Sequence, residues 1–151
     1  MQETVNIFEA SFDGRVDLGA LGGSEKTAAY LYDMPPGNAM CPYHYEYVEE
    51  WMLVVAGEAS VRTPEGERKA VAGELVRFPA GAAGAHKIAN RGDVLCRVML
   101  FSERRAPAVS VYPDSNKLGV WPAGDDTEND LLFVRDTAVP WSHGEDGWDR
   151  A

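Results

Sequence analysis

Imidazole and carboxylate side chains recur in two separate stretches of this chain. The first stretch carries His44, Glu46 and Glu50, and the second carries His86. Side chains alternate between the two faces of a β-strand, so residues an even number of positions apart point the same way. On a regular strand the three residues of the first stretch would share a face, and pairing with a second strand would bring His86 opposite them. This pattern predicts a metal site built from two imidazoles and two carboxylates.

The types of ligand limit the metal that such a site would hold. Mixed nitrogen and oxygen ligands suit a borderline divalent ion of the first transition row, namely Fe, Mn, Ni, Co or Zn. Neither stretch contains a cysteine, so a structural thiolate zinc site is not expected. Glu49 is a weaker ligand candidate than Glu50, because on a regular strand it faces away from His44.

Short apolar segments separated by turn residues must position these ligands. Strand-like segments recur at intervals of roughly eight to twelve residues, which is typical of an all-β sandwich or barrel. They cover residues 27–34, 43–55, 59–63, 68–71, 75–78, 85–89 and 94–101, and two further short strands are predicted at 117–121 and 131–135. The expected organisation is an N-terminal arm (1–26), a β-barrel (27–121) and a C-terminal extension (122–151) that packs on the barrel or on a partner subunit.

The two stretches resemble the paired motifs of the cupin superfamily. The first motif has the form H-x-H-x3-E-x6-G, and its positions here are His44, Glu46, Glu50 and Gly57. The second has the form G-x5-P-x-G followed by His and Asn, and its positions here are Gly73, Pro79, Gly81, His86 and Asn90. A turn at 112–115 followed by a lysine is also similar to small single-domain bacterial cupins.

The resemblance implies a cupin double-stranded β-helix, a barrel of jelly-roll type, with a divalent metal ion inside. Carried over residue by residue, the ligands are His44, Glu46, Glu50 and His86. Glu46 stands where the family usually has a second histidine. This change leaves the identity of the metal open.

Two interpretations of the function remain open. The first is a metal-dependent enzyme, of dioxygenase or isomerase type by the resemblance, that acts on a carboxylic acid, a sugar derivative or an oxidisable diol. Four protein ligands would leave one or two positions of an octahedral ion for the substrate. The second is a non-catalytic protein that binds or senses a small ligand and has a degenerate metal site. Apposed carboxylates without an ion would repel each other, and one of them would hold a proton.

Seven further residues are candidates for the substrate pocket. Three aliphatic residues share the strand parity of the ligands and would either fill the barrel or line the pocket. Two tyrosines would orient a substrate or donate a proton, or would be core residues. Two arginines interrupt apolar strands and would grip a carboxylate if they faced inward, although an exterior position is favoured. These residues are Met52, Val54, Ile88, Tyr30, Tyr32, Arg77 and Arg97.

Composition limits the class of protein and its partners. The chain has 151 residues, enough for one domain with a sizeable core. Its net charge of −10, from 14 basic and 24 acidic residues, argues against nucleic acid and anionic membranes as partners.

Cys41 and Cys96 form no spaced cluster and no secretory signal is recognised, so the cytoplasm is the expected location. Half-buried β-faces need a covering surface, so we expect a two-fold homodimer that binds a small molecule.

Overall fold

The structure, a computed structural model, describes residues 4–122 and 130–145. Within them the chain forms one short α-helix, α1 (Leu18–Leu21), three 3₁₀ turns (Ala82–Gly84, Pro113–Ser115 and Arg135–Thr137) and twelve strands. The strands are β1 (Arg15–Asp17), β2 (Thr27–Met34), β3 (Tyr45–Glu46), β4 (Glu50–Ala56), β5 (Glu58–Thr63), β6 (Gly66–Val71), β7 (Leu75–Phe78), β8 (Lys87–Ala89), β9 (Cys96–Glu103), β10 (Ala108–Tyr112), β11 (Lys117–Trp121) and β12 (Leu131–Val134). Among the described residues, no helix has the length and apolar character needed to cross a membrane.

The strands assemble into three antiparallel sheets. One sheet has the order β1-β2-β9-β4-β7, the second β12-β11-β10-β3 and the third β6-β5-β8. Most neighbours within a sheet are distant in sequence, because the chain passes repeatedly from one sheet to another, as in a jelly roll. The all-β fold class predicted from strand spacing is therefore confirmed.

The core lies between the sheets and is built from alternating positions of the long strands. On β4 the residues Met52 and Val54 are fully buried, and Ile88 on β8 joins the same cluster. Apolar positions two apart produce this burial because they face one side of the pleat. The three aliphatic pocket candidates therefore fill the barrel interior.

The first ligand stretch is not one regular strand. The chain bends at residues 47–49, so that β3 pairs with β10 while β4 pairs with β7 and β9. Glu46 and Glu50 consequently belong to different sheets. Strand parity, which requires an uninterrupted strand, does not relate their side-chain directions.

Arg97 attaches the N-terminal segment to the outside of the barrel. Its guanidinium donates to the backbone carbonyls of Ile7, Phe8 and Ala10 at 2.9–3.2 Å. It also makes two hydrogen bonds of 2.7 Å to the Asp33 carboxylate on β2. Arg97 thus lies on the exterior side of β9, and its pocket role is corrected: its donors are directed at the arm.

Gly57 and Asn90, both motif residues, have structural roles. Gly57 adopts φ +75°, and a Cβ there would come within 2.5 Å of the Leu95 carbonyl oxygen. The buried Asn90 amide donates to the carbonyls of Met34 and Val94 at 2.7 Å, and its side-chain oxygen accepts from the Gly92 amide. Gly57 allows the turn between β4 and β5, and Asn90 stabilises the turn that follows β8.

The C-terminal extension is described only in part. Its strand β12 pairs with β11 and forms the edge of the second sheet. Residues 123–129 and 146–151 of the predicted extension lie outside the described residues.

Candidate metal centre

Three of the four predicted ligands lie together. His44, Glu50 and His86 each offer a ligand atom, and these atoms lie within 4.8 Å of one another. His86 Nε2 and Glu50 Oε2 are 3.7 Å apart. Two atoms bonded to one ion at about 2.2 Å can be at most about 4.4 Å apart. The group therefore needs only a small adjustment to hold a first-row ion.

The two histidines are brought together by their own backbone. The His44 amide donates to the His86 carbonyl at 3.0 Å, and the His86 amide donates to the His44 carbonyl at 2.8 Å. This isolated antiparallel bridge places the ring centroids 4.8 Å apart. Residues paired directly across an antiparallel bridge present their side chains on the same face. The bridge thus delivers both imidazoles to one point.

Backbone carbonyls fix the tautomer of both rings. His44 Nδ1 lies 3.0 Å from the Pro42 carbonyl oxygen, and His86 Nδ1 lies 2.9 Å from that of Gly84. A carbonyl only accepts, so each Nδ1 carries the proton and each Nε2 presents its lone pair, the arrangement that metal-binding histidines use.

The buried Nε2 of His86 has no hydrogen-bond partner among the described residues. Burial lowers the pKa of His86 to about 4, so the ring is neutral at physiological pH. A buried polar atom without a partner requires an explanation. A metal ion at this position would supply one, and the donor set of two imidazoles and a carboxylate fits such an ion.

Aromatic rings and a close turn hold the imidazoles in place. The Phe78 ring stacks on His86 with a centroid separation of 3.8 Å, and Tyr112 stacks on His44 at 5.9 Å. The turn that supplies the Gly84 carbonyl packs tightly, because a Cβ at Gly84 would lie 1.7 Å from the Pro79 carbonyl oxygen. Gly84 lies outside both motif patterns, so its role was not recognised in the sequence.

The Glu50 carboxyl is the third member of the group. It begins β4, and burial raises its pKa to about 8, with the nearby Glu46 contributing in the same direction. Without a cation, Glu50 is therefore mostly protonated at neutral pH. A divalent ion beside it would favour the carboxylate and release the proton.

Glu46 lies near this group but belongs to a different hydrogen-bond network. The hydroxyl of the buried Ser110 donates to Glu46 Oε1 at 2.7 Å, and the Trp121 indole donates to the Ser110 oxygen at 2.9 Å. The pairing of β3 with β10 sets Ser110 directly opposite Glu46. Sequence reasoning missed Ser110 because it did not recognise β10 as a strand.

A cavity of about 390 Å³ opens beside the ligands. His44, Glu46 and Glu50 line it, together with Ser110 and Trp121. Of the seven pocket candidates, the two tyrosines, Tyr30 and Tyr32, line its wall. Burial raises the pKa of Tyr32 to about 12, so its phenol stays a proton donor. The cavity also contains three arginines that were not predicted: Arg15, Arg104 and Arg105.

Arg77 does not line the cavity. Its Nε donates to Glu49 at 2.6 Å, and about half of its side chain is exposed. Glu49 also accepts a hydrogen bond from the Trp51 indole. These two oppositely charged residues form an exterior pair, which corrects the pocket role considered for Arg77. Glu49 accordingly faces away from the metal centre.

The jelly-roll arrangement of the sheets and the group of two histidines and one glutamate agree with the cupin resemblance. The family model for the cupin domain matches residues 30–102. No protein among the curated sequences matches this chain. Residues 30–102 thus carry a cupin domain, which confirms the resemblance to the cupin superfamily carried by the two motifs.

Solved structures share this fold. A structure from Acidithiobacillus ferrooxidans, proposed to be a sugar phosphate isomerase, is 24% identical with a TM-score of 0.73 and covers 83% of this chain and 78% of its own. A cupin-superfamily sugar phosphate isomerase from Silicibacter pomeroyi is also 24% identical with a TM-score of 0.73, with coverages of 87% and 83%. A polyketide cyclase from Streptomyces resistomycificus is 16% identical with a TM-score of 0.58, with coverages of 72% and 84%. At these identities the likeness concerns the fold.

Proposed function

We propose that this chain is a divalent-metal-dependent enzyme that isomerises a small sugar derivative. The observation that carries the proposal is the group formed by His44, Glu50 and His86, of which His44 and Glu50 line a cavity. Two fold relatives described as sugar phosphate isomerases favour a sugar derivative over the carboxylic acid and the diol. Two free cysteines are consistent with a cytoplasmic enzyme.

Different residues of the site would bind the metal ion and the substrate. His44 and His86 present their Nε2 atoms and Glu50 supplies the negative charge, so these three would hold the ion. A dication held there would act as a Lewis acid toward a substrate carbonyl, which would make a hydrogen on the neighbouring carbon more acidic. Tyr32 stays protonated and can donate a hydrogen bond to a substrate oxygen in the same cavity.

Metal content per chain tests the first half of the proposal. The purified protein is stripped with a chelator, reloaded with Mn, Fe, Co, Ni or Zn in turn, desalted and analysed by elemental mass spectrometry. We expect about one ion per chain for the wild type, and a loss of at least tenfold in affinity for Glu50→Gln and His86→Gln. Glu49→Gln is the matched control, because Glu49 faces the exterior and should leave loading unchanged.

Solvent hydrogen exchange tests the second half. Isomerisation through an enediol moves a proton between neighbouring carbons, so the reaction in D₂O should place deuterium next to the sugar carbonyl, as detected by NMR together with the interconversion of the sugars. The metal-loaded protein is tested on a panel of aldoses and ketoses, with and without phosphate groups. A protein that holds one ion per chain but neither interconverts any aldose and ketose of the panel nor incorporates deuterium would contradict the isomerase.

The alternative function is a non-catalytic ligand-binding cupin. It is favoured by the Glu46 carboxylate, which is hydrogen-bonded to Ser110 and is not part of the three-residue group. In this case the wild type should purify without metal, and Glu46→His should gain it, because the change restores the usual cupin ligand set. In an enzyme that uses Glu46 as the fourth ligand, the same variant should keep its metal and change in rate or metal preference.

A further inference from the structure

Glu46 is held by a chain of hydrogen bonds that does not include the three side chains of the candidate metal centre. Its Oε1 atom accepts from the Ser110 hydroxyl at 2.7 Å, and the Ser110 oxygen accepts from the Trp121 indole at 2.9 Å. A serine hydroxyl has one hydrogen to donate, and an indole N–H can only donate. The hydroxyl hydrogen of Ser110 is therefore directed at Glu46, and the indole stabilises the hydroxyl in that orientation.

The Trp121 ring reaches Ser110 because the residue two positions earlier on β11 is a glycine. Gly119 pairs with Ser110 across β10 and β11, and a Cβ at Gly119 would lie 2.9 Å from the Trp121 ring. Ser110 is buried, with 2% of its surface exposed. A hydrogen bond in such a position is strong, because water does not compete for the same groups. The path from Trp121 to Glu46 is thus a packed part of the second sheet.

The backbone of Glu46 is also held on both sides. On one side β3 pairs with β10, and on the other the Gly81 amide donates to the Glu46 carbonyl at 2.7 Å. Two residues earlier, His44 is bridged to His86. The ligand atoms that lie within 4.8 Å of one another belong to three residues, namely His44, Glu50 and His86. Backbone and side chain therefore keep Glu46 with the second sheet, beside this group and not within it.

The second carboxylate oxygen of Glu46 remains available. Within residues 4–122 and 130–145, no donor forms a hydrogen bond to Glu46 Oε2. Glu46 lines the same cavity as His44 and Glu50. Each oxygen of a carboxylate can accept hydrogen bonds, so the bond from Ser110 to Oε1 leaves an acceptor at the cavity wall.

A ligand set without Glu46 changes the charge and the openness of the metal centre. Two neutral imidazoles and one carboxylate would leave a dication with a net charge of about +1, which a second carboxylate would cancel. The larger net charge makes a stronger Lewis acid toward a carbonyl group. Three protein ligands also leave about three positions of an octahedral ion for water or substrate oxygens.

We propose that Glu46 binds the substrate instead of the metal: Ser110 and Trp121 hold its carboxylate at the cavity wall, where it accepts a hydrogen bond from a hydroxyl group of the sugar. The inference rests on the proposed function and assigns a residue to its substrate. Glu46 touches the substrate, whereas Ser110 and Trp121 are positioning residues. A site built to bond a hydroxyl group rejects analogues that lack it, because its own polar group is then left unpaired. Glu46 therefore selects a hydroxylated substrate.

The number of water molecules on bound Mn²⁺ tests whether Glu46 is a metal ligand. Mn²⁺-loaded wild type and Glu46→Leu, which lacks a ligand atom at this position, are compared by electron–nuclear double resonance in ¹⁷O-labelled water. We expect the same number of bound waters in both proteins. One water fewer in the wild type than in Glu46→Leu would show that Glu46 occupies a position on the ion and would overturn the inference.

Binding of dihydroxyacetone tests the contact with the substrate. This small ketose is too short to close into a ring, so its carbonyl and hydroxyl groups stay available. In calorimetric titrations of Mn²⁺-loaded protein we expect binding at least tenfold weaker for Glu46→Leu and Ser110→Ala than for the wild type. Ser110→Thr, which keeps a hydroxyl group, should recover part of the loss. Ser110→Ala should keep its affinity for Mn²⁺, which a general loss of structure would not allow.

Ser60→Ala is the matched control for Ser110→Ala. Ser60 is also buried and donates to a glutamate, Glu67, at 2.6 Å, but neither residue lines the cavity. This variant should bind dihydroxyacetone as the wild type does. Equal affinity of the wild type and Glu46→Leu for dihydroxyacetone, or no binding to the wild type, would overturn the inference.

These measurements separate the role of Glu46 from the proposed function, because neither of them requires turnover. Equal water counts and weaker binding by Glu46→Leu, without any interconversion of aldoses and ketoses, would defeat the isomerase alone. Interconversion by a wild type that holds one water fewer than Glu46→Leu would defeat the role of Glu46 alone. If the chain takes up no metal, the same titration of metal-free protein decides whether Glu46 binds the hydroxyl group.

Discussion

The Glu50 carboxyl is buried beside Glu46, and its pKa is raised to about 8 by burial first and by Glu46 second. The neighbouring His86 is buried as a neutral ring, with its pKa lowered to about 4. Both groups are thus held in the uncharged state when no ion is present. The charge that a metal site needs on Glu50 appears only when a cation arrives.

Stability of the metal-free protein should therefore fall as the pH rises from about 6.5 to about 8. In this range folded Glu50 keeps a proton that the unfolded chain, with a pKa of 4.5, has lost, so rising pH favours unfolding. Between about pH 4.5 and 6.5 the unfolded chain protonates His86, whose ordinary pKa is 6.5, while the folded chain keeps it neutral, and this opposite effect cancels the slope. The expected loss across the upper range is about 2 kcal/mol.

Urea unfolding at a series of pH values measures this dependence. Glu50→Gln should remove the fall above pH 6.5, and saturating metal should also remove it because the ion keeps Glu50 charged. A metal-free wild type whose stability is flat from pH 6.5 to 8 would contradict the buried, protonated state of Glu50.

At the scale of elements, Gly57 determines how β4 turns into β5. It combines φ +75° with a contact in which a Cβ would meet the Leu95 carbonyl oxygen at 2.5 Å. Gly37 has a similar φ of +84°, but a Cβ there would meet nothing within 4 Å. An alanine at Gly37 would therefore introduce backbone strain alone, whereas an alanine at Gly57 would introduce both backbone strain and a steric overlap.

We expect Gly37→Ala to lower the free energy of unfolding by about 1 kcal/mol, from the left-handed backbone alone. Gly57→Ala should lower it by about 3 kcal/mol, because the overlap with the Leu95 carbonyl adds to the strain. Denaturant unfolding with equal m-values for the two variants gives both numbers. Equal losses of unfolding free energy in the two variants would contradict the predicted overlap, because they would mean that the β4–β5 turn shifts away from Leu95 at little cost.

The same scale shows where sequence reasoning succeeded and where it failed. The paired motifs and turn residues were sufficient to predict the cupin fold, and the structure brings His44, Glu50 and His86 together. Parity failed to place Glu46, because the bend at 47–49 transfers the chain between two sheets. Arg15 was missed because a strand of only three residues in a glycine-rich arm leaves no periodic pattern.

At the scale of the whole molecule, β12 is an apolar strand at the edge of its sheet. All four of its residues are about half exposed: Leu131, Leu132, Phe133 and Val134. An exposed apolar edge strand is a site for pairing with another chain. We propose that a second copy covers it around a two-fold axis, as expected for most homo-oligomers.

Light scattering at micromolar concentration should give twice the chain mass of 16.5 kDa. Leu132→Glu should shift the mass to that of the monomer, because it buries a charge in the pairing surface. Glu65→Lys, at an exposed hairpin tip, is a control for the change of charge and should remain dimeric. A wild type with the monomer mass would contradict this assembly.

The bridge between His44 and His86 should make the hydrogen exchange of two backbone amides sensitive to metal binding. Each of these two amides is bonded to the other residue's carbonyl, and the bridge lies outside the regular strands. Such a bridge opens without unfolding a whole sheet, so its amide protons should exchange with solvent sooner than those of β4 or β9.

An ion bound to both rings must be released before the bridge opens. At a metal concentration 100 times the dissociation constant, exchange at these two amides should slow by about 100-fold, which corresponds to about 2.7 kcal/mol. Amides of the remote β5–β6 hairpin should be unaffected.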